Sequence, residues 1–210
     1  PFGFLGSPLS DGAPFHRTAV LHNRSPIRAT VFSVLLAALL FYTVDPTYAQ
    51  GTGPKLPNPG FRSGGLWNPD IPIRMDIAVW YPSIRVPRDV HLEGWLIRAG
   101  KDGAATAGRF PVILLSHDAA SSRLASHDLA AHLARYGFIV IAPTHPKDNL
   151  DDTSGLYSGS LFAERPSHLV LALETVSGHK TLGPLLDRSR VGVLGVGSGA
   201  ATALQLAGAA

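Results

Sequence analysis

The glycine-rich segment from Val191 to Gly208 (VGVLGVGSGAATALQLAG) constrains the fold of this chain more than any other stretch. Its order of an apolar run, a cluster of glycines and a run of small residues predicts a buried strand, a sharp turn and a helix. Two chemistries use this arrangement. One places a nucleophilic serine at the top of the turn. The other uses the glycines to bring a dinucleotide pyrophosphate to the start of the helix.

Composition narrows the class of protein. The chain has 210 residues, of which 45% are hydrophobic and 16% charged, as expected for one globular domain. Its formal net charge is +3, without the dense Lys/Arg cluster of a nucleic-acid surface, so we expect no nucleic-acid partner. The absence of cysteine excludes disulfides and thiolate metal sites.

The N-terminal region carries an export signal. Arg24 and Arg28 precede an apolar run over 29–44, and the small-residue pattern that ends at Ala49 is typical of a cleavage site. We therefore interpret 1–49 as an upstream extension plus a signal peptide, cleaved after Ala49, of a periplasmic or secreted protein. The alternatives are a buried core helix and a membrane anchor, although the run is shorter than the roughly 20 residues that a spanning helix prefers.

The rest of the chain predicts an α/β domain over 71–210, after a linker or irregular arm over 50–70. From residue 110 onward strands and helices alternate, which predicts a parallel sheet with right-handed crossovers. The predicted strands cover 74–81, 91–98, 110–116, 138–142 and 191–194, and the predicted helices cover 122–136, 162–176 and 199–210.

Four motifs, in order, carry a resemblance to a known family. They are Phe110–His117 (FPVILLSH), Ala134–Pro143 (ARYGFIVIAP), Phe162–Pro166 (FAERP) and Asp187–Gly195 (DRSRVGVLG). Together they resemble the α/β-hydrolase superfamily, in particular bacterial proteins similar to dienelactone hydrolases and platelet-activating-factor acetylhydrolases. The resemblance implies a mostly parallel sheet flanked by helices. It also implies hydrolysis of small carboxylic esters or lactones through a serine acyl-enzyme, with no metal or organic cofactor.

The loop after the first buried strand departs from that family. The family has Ser-His-Gly there, and this chain has Ser116-His117-Asp118. The resemblance implies that backbone N–H groups, of Ala119 here and of Gly199 or Ser198 at the turn, stabilise the oxyanion of the reaction. The alternative is an ordinary loop, because a carboxylate beside a developing negative charge is unfavourable.

The turn itself also departs from the family pattern Gly-x-Ser-x-Gly, because this chain has Gly195-Val-Gly-Ser-Gly199. In the straightforward register Gly197 takes the place of the nucleophile. A register shifted by one residue makes Ser198 the candidate catalytic nucleophile, but then Val196 stands where the tight turn needs a small residue. The alternative role for Ser198 is a helix N-cap.

A serine nucleophile in this fold is followed in the chain by an acid and then a histidine. Neither occurs after Ser198, so we expect both beyond Ala210, together with further strands of the sheet. The alternative is a non-catalytic binding protein on the same fold. The upstream histidines His117, His127 and His145 are expected to be structural or solvent-exposed.

A dinucleotide-binding domain is the third hypothesis. Gly195-x-Gly197-x-x-Ala200 satisfies the fingerprint G-x-G-x-x-G/A between a strand and a helix. Such fingerprints usually follow the first strand of their domain, however, whereas several predicted strands come before this one.

Overall fold

The computed structural model describes residues 56–68, 73–156 and 158–208. The export signal predicted over 1–49 lies outside these residues, so the signal peptide and the cleavage after Ala49 stay predictions, as does the division of the chain at residue 49. Within the described residues, no helix combines the length and the apolar character needed to cross a membrane.

One seven-stranded sheet organises the described residues, with the strand order β3-β4-β1-β2-β6-β5-β7. Helices α1 and α2 follow β5 and β6, and α3 follows β7. The bounds are β1 Asn58–Asn68, β2 Ile73–Ser83, β3 Arg88–Leu92, β4 Trp95–Lys101, β5 Phe110–Ser116, α1 His127–Arg135, β6 Ile139–Pro143, α2 Gly159–Ser177, β7 Leu186–Gly195 and α3 Ser198–Leu206.

The second half of the sheet confirms the predicted alternation of strands and helices. Strand β5 pairs in parallel with β6 on one side and with β7 on the other, whereas β2 is antiparallel to β6. The chain therefore passes from β5 to β6 on one side of it and later adds β7 on the other side. This reversal opens a crevice at the carboxyl ends of β5 and β7, where α/β proteins bind their ligands.

Each face of the sheet buries its own apolar core, because successive side chains of a strand point to opposite faces. The core on one face contains helix α2, and the core on the other contains α1. The first core includes Met75, Ile77, Val79, Ile139, Ile141 and Leu169, and the second includes Phe61, Ala78, Trp80, Val140, Ala130 and Ala134.

Strand β1 corrects the expectation of a linker or irregular arm over 50–70. Residues Asn58–Asn68 form a strand that pairs with β2 along its whole length. Phe61 is fully buried, with its ring centroid 5.1 Å from that of Trp80. The Gly- and Pro-rich composition hid this strand because its stability comes from pairing and from one buried ring rather than from local propensity.

The β3–β4 hairpin corrects the single strand expected over 91–98. Glu93 and Gly94 form a two-residue turn with positive φ angles of 50° and 79°. Positive φ at both positions is the pattern of a type I′ hairpin turn, which reverses the chain. The dipeptide Glu93-Gly94 was the feature of the sequence that could have predicted this turn.

Candidate functional site

Gly197 is the apex of the turn between β7 and α3. Its φ of 56° and ψ of −123° lie in a region that favours glycine. Ser198 follows as the first residue of α3, and Gly197 itself occupies the N-cap position. The structure thus places Gly197, rather than Ser198, at the apex, which corresponds to the straightforward register. Ser198 is also not the N-cap of the helix.

The start of α3 lies directly against the end of β5. A Cβ atom added at Gly199 would lie 2.2 Å from the carbonyl oxygen of Ser116, so only glycine allows this approach. The Val196 N–H donates to the same Ser116 carbonyl at 3.1 Å. This packing brings the first N–H groups of α3 beside the loop that begins at His117.

Two backbone N–H groups converge on one oxygen atom at this point. Ala119 donates to Asp118 Oδ1 at 2.7 Å, and Ser198 donates to the same atom at 2.8 Å. Two N–H donors from separate segments, aimed at one negatively charged oxygen, form the arrangement of an oxyanion hole. The Gly199 N–H instead donates to the Val196 carbonyl at 2.9 Å. The structure therefore pairs Ala119 with Ser198, rather than with Gly199, as the convergent donors.

The Asp118 carboxylate fills the space that a side chain at the apex would need. A Cβ atom added at Gly197 would lie 2.1 Å from Asp118 Cγ. The N–H groups of Ser198 and then of Ala119 lower the pKa of Asp118, because both stabilise its ionised form. Asp118 is exposed, so this charge faces solvent at the mouth of the site.

The hydroxyl of Ser198 has a cationic partner. Arg165 Nη1 donates to Ser198 Oγ at 2.7 Å. A guanidinium cannot accept a proton, and the lowered pKa of the neighbouring Asp118 makes that carboxylate a weak base. A serine nucleophile needs a base within hydrogen-bonding distance. Neither Arg165 nor Asp118 supplies such a base.

The Arg165 side chain is fully buried beneath the site, on helix α2. It forms an ion pair with the buried Asp148 carboxylate at 3.1 Å, and Nη2 donates to Ser116 Oγ at 3.3 Å and to the His117 carbonyl. Burying a charge is costly unless it is paired and hydrogen-bonded, and this guanidinium is paired with Asp148 and hydrogen-bonded through both Nη atoms, whereas its buried Nε atom has no hydrogen-bond partner among the described residues. Arg165 thus connects α2, the end of β5 and the Ser198 side chain.

Asp148 extends this connection to the loop after β5. Its Oδ1 atom accepts a hydrogen bond from the Ala120 N–H at 2.7 Å. Ala120 has a φ of 50°, an uncommon value for a residue with a side chain. The buried carboxylate therefore stabilises a strained loop and pairs with Arg165 at the same time.

Three histidines form a buried layer under the site. His145 Nε2 lies 2.9 Å from Ser116 Oγ, its Nδ1 lies 3.3 Å from His168 Nδ1, and its backbone N–H donates to His117 Nε2 at 2.9 Å. Burial lowers the pKa of His117 to about 4, and it lowers those of His145 and His168 as well. All three are therefore neutral near pH 7. His117 and His145, which were expected to be structural or solvent-exposed, are buried and belong to this layer.

An apolar cavity of about 350 Å³ lies elsewhere, between β1 and the end of α2. It is lined by Leu66, Ile77, Val176 and Leu182 among others, and it includes none of the residues of the turn. Within residues 56–68, 73–156 and 158–208, no cluster of three or more His, Asp or Glu side chains could hold a metal ion.

Comparison with solved structures identifies the fold. No protein-family model and no curated protein sequence matches this chain significantly. The structure is similar to a ferulic acid esterase from Streptomyces cinnamoneus, with 21% identity and a TM-score of 0.59, over 74% of this chain and 56% of the esterase. The chain thus spans little more than half of that protein's length.

Two further similar structures have TM-scores below 0.5. One is a hypothetical protein from Pseudomonas aeruginosa, with 18% identity, a TM-score of 0.49 and coverage of 74% of this chain and 40% of that protein. The other is a dienelactone hydrolase-like promiscuous phosphotriesterase from metagenomic libraries, with 17% identity, a TM-score of 0.46 and coverage of 70% and 54%. The assignment of the fold therefore rests on the similarity to the ferulic acid esterase. The described residues have the α/β-hydrolase fold, as the sequence motifs predicted.

Replacing Arg165 with Leu should strongly destabilise the protein. The change leaves the buried Asp148 carboxylate without its partner, which typically costs about 3–5 kcal/mol. The double variant Arg165→Leu/Asp148→Leu should lose less, since no buried charge is left unpaired. Urea unfolding measures both. The matched control is Arg188→Leu, whose exposed pair with Glu174 should contribute at most about 1 kcal/mol. Equal losses for Arg165→Leu and Arg188→Leu would contradict this account.

The free energy of unfolding should fall as pH decreases from about 6.5 towards about 4. In this window the unfolded chain protonates His117, whereas folded His117 stays neutral because its pKa is about 4, so acid favours unfolding. Replacement by Gln, whose side-chain oxygen can also accept the His145 N–H bond, should flatten the slope by up to about 1.4 kcal/mol per pH unit. The replacement His91→Gln, at an exposed histidine, is the control for the change of residue type itself. An unchanged slope in His117→Gln would refute the assignment.

Proposed function

We propose that the described residues hold the oxyanion-binding part of a hydrolase site for small carboxylic esters or lactones. We further propose that this chain, with glycine at the apex of its turn, does not form an acyl-enzyme there. The observation that carries the proposal is the convergence of the Ala119 and Ser198 N–H groups on one oxygen beside Gly197.

The position and chemistry of these donors support an ester or lactone ligand. They lie at the crevice between β5 and β7, where the sheet changes direction. Attack on an ester carbonyl turns its oxygen into an anion, and two fixed N–H groups stabilise that anion. The similar fold of a ferulic acid esterase supports the same class of ligand.

The side chains at the apex argue against turnover. Gly197 offers no nucleophile, and Ser198 Oγ accepts from Arg165 rather than lying next to a base. These features support the alternative that the domain binds without catalysis. The export predicted from 1–49 would place such a site in the periplasm or outside the cell.

A dinucleotide site has less support. The Ser198 N–H at the start of α3, which would face a pyrophosphate, already bonds the Asp118 carboxylate. A second anion at that place would be repelled. Among the described residues six strands also precede β7, whereas such fingerprints usually follow the first strand of their domain.

The proposal is tested with a fluorophosphonate probe and p-nitrophenyl esters on the full chain. We expect no labelling at Ser198, and equal ester turnover in the original protein and in Ser198→Ala. Labelling at Ser198 that disappears in Ser198→Ala would show that the shifted register is catalytic and would overturn the claim of inactivity.

A second arm tests the oxyanion hole itself. In the double variant Gly197→Ser/Asp118→Gly a hydroxyl stands at the apex beside unoccupied donors. An oxyanion hole and substrate binding together, without a complete triad, accelerate acyl transfer by about 10³–10⁴-fold over water, so the probe should label position 197 faster than exposed serines such as Ser189. Labelling at position 197 no faster than at Ser189 would contradict a hydrolase-type site.

A further inference from the structure

We infer that Asp118 is a built-in occupant of the oxyanion hole, which excludes the carbonyl or carboxylate oxygen of a ligand until its side chain leaves. The inference deepens the proposed function and rests on it. Its basis is that both convergent donors bond the same Asp118 Oδ1 atom, at 2.7 and 2.8 Å. A ligand oxygen needs that same position.

The steric evidence is independent of these hydrogen bonds. The Asp118 carboxyl group stands within 2.1–2.3 Å of where a Cβ atom at Gly197 would lie. The side chain therefore covers the apex as well as the two donors. A ligand whose carbonyl carbon approached the apex would collide with this carboxyl group.

The electrostatics favour the occupant over a ligand. Hydrogen bonds to a charged oxygen are roughly twice as strong as those to a neutral one, so a neutral ester carbonyl competes poorly with a carboxylate. A free carboxylate would also be repelled by the charge of Asp118. The occupant is tethered to the chain, which gives it a high effective concentration.

The Asp118 side chain can move or be removed while the backbone that positions the two N–H donors stays in place. The Asp118 side chain is exposed, whereas the backbone around it is held by the buried network: His117 Nδ1 lies 2.6 Å from the Asp118 carbonyl, and Arg165 bonds the His117 carbonyl. Rotation or removal of the side chain therefore frees the donors without a change in the backbone that positions them.

The test uses amide ¹H–¹⁵N spectra of the full chain at pH 7, with sodium benzoate as the probe. In the original protein benzoate should leave the Ala119 and Ser198 resonances unmoved. In Asp118→Asn, which keeps the bulk but has a neutral and weaker acceptor oxygen, benzoate should shift them less than in Asp118→Gly. In Asp118→Gly both resonances should shift and saturate, with an affinity at least tenfold higher than in the original protein. Asp118→Ala serves as a second variant if the glycine variant does not fold.

The matched control is Asp128→Gly, which removes another exposed carboxylate, one that lies far along the chain from the turn. It should behave like the original protein, which excludes an effect of net charge. The inference is overturned if benzoate shifts both amides equally in the original protein and in Asp118→Gly, or if it shifts them in neither. Labelling at position 197 in the variant Gly197→Ser/Asp118→Gly reports separately on the proposed function.

Discussion

The buried guanidinium of Arg165 holds the two halves of this site in one geometry. Its partners come from the end of β5, from the segment after β6 and from the start of α3. The ion pair with Asp148 makes this cation tolerable in the interior, and the other oxygen of Asp148 fixes the loop that carries Ala120. The convergence of the Ala119 and Ser198 N–H groups depends on both segments being held in this way.

On this framework the two unusual residues of the site form one feature. The sequence shows two separate departures from the hydrolase pattern, an aspartate at 118 and a glycine at 197. In the structure the Asp118 carboxylate lies in the space that a side chain at position 197 would occupy. With Asp118 in this position a side chain at 197 would collide with the carboxyl group, so the aspartate requires the glycine. The two convergent N–H donors of the proposed oxyanion hole are thus present, while an aspartate and a glycine replace the side chains of the family pattern.

The parts of the fold with strong local signals could be predicted from the sequence. Strands β5 and β6 are continuous apolar runs, and the helical spacing over 162–176 matches α2, which extends over Gly159–Ser177. Strand β1 could not be predicted, because its stability comes from pairing with β2, which no local pattern encodes. The β3–β4 turn was missed although Glu93-Gly94 signalled it.

Some residues of the site could likewise be predicted from the sequence, and others could not. The glycines that shape the turn are visible in the sequence, and so is the change to aspartate at 118. Sequence reasoning did not find Arg165, Asp148 or His168 as parts of the site, because a charged or polar residue in a helix or loop is usually exposed. Only the tertiary structure shows that these three are buried, and the charged Arg165 in an otherwise mostly apolar helix was a weak signal.

The central claim is that one ionised carboxylate, that of Asp118, accepts hydrogen bonds from both convergent N–H groups. The most direct measurement is the amide proton chemical shift of Ala119 and Ser198 at pH 7, without ligand, in the original protein and in Asp118→Asn. Because a charged acceptor forms the stronger hydrogen bond, both protons should lie further downfield in the original protein and move upfield together in the variant. Unchanged shifts for both amides, or a change confined to Ala119 next to the substitution, would contradict the account.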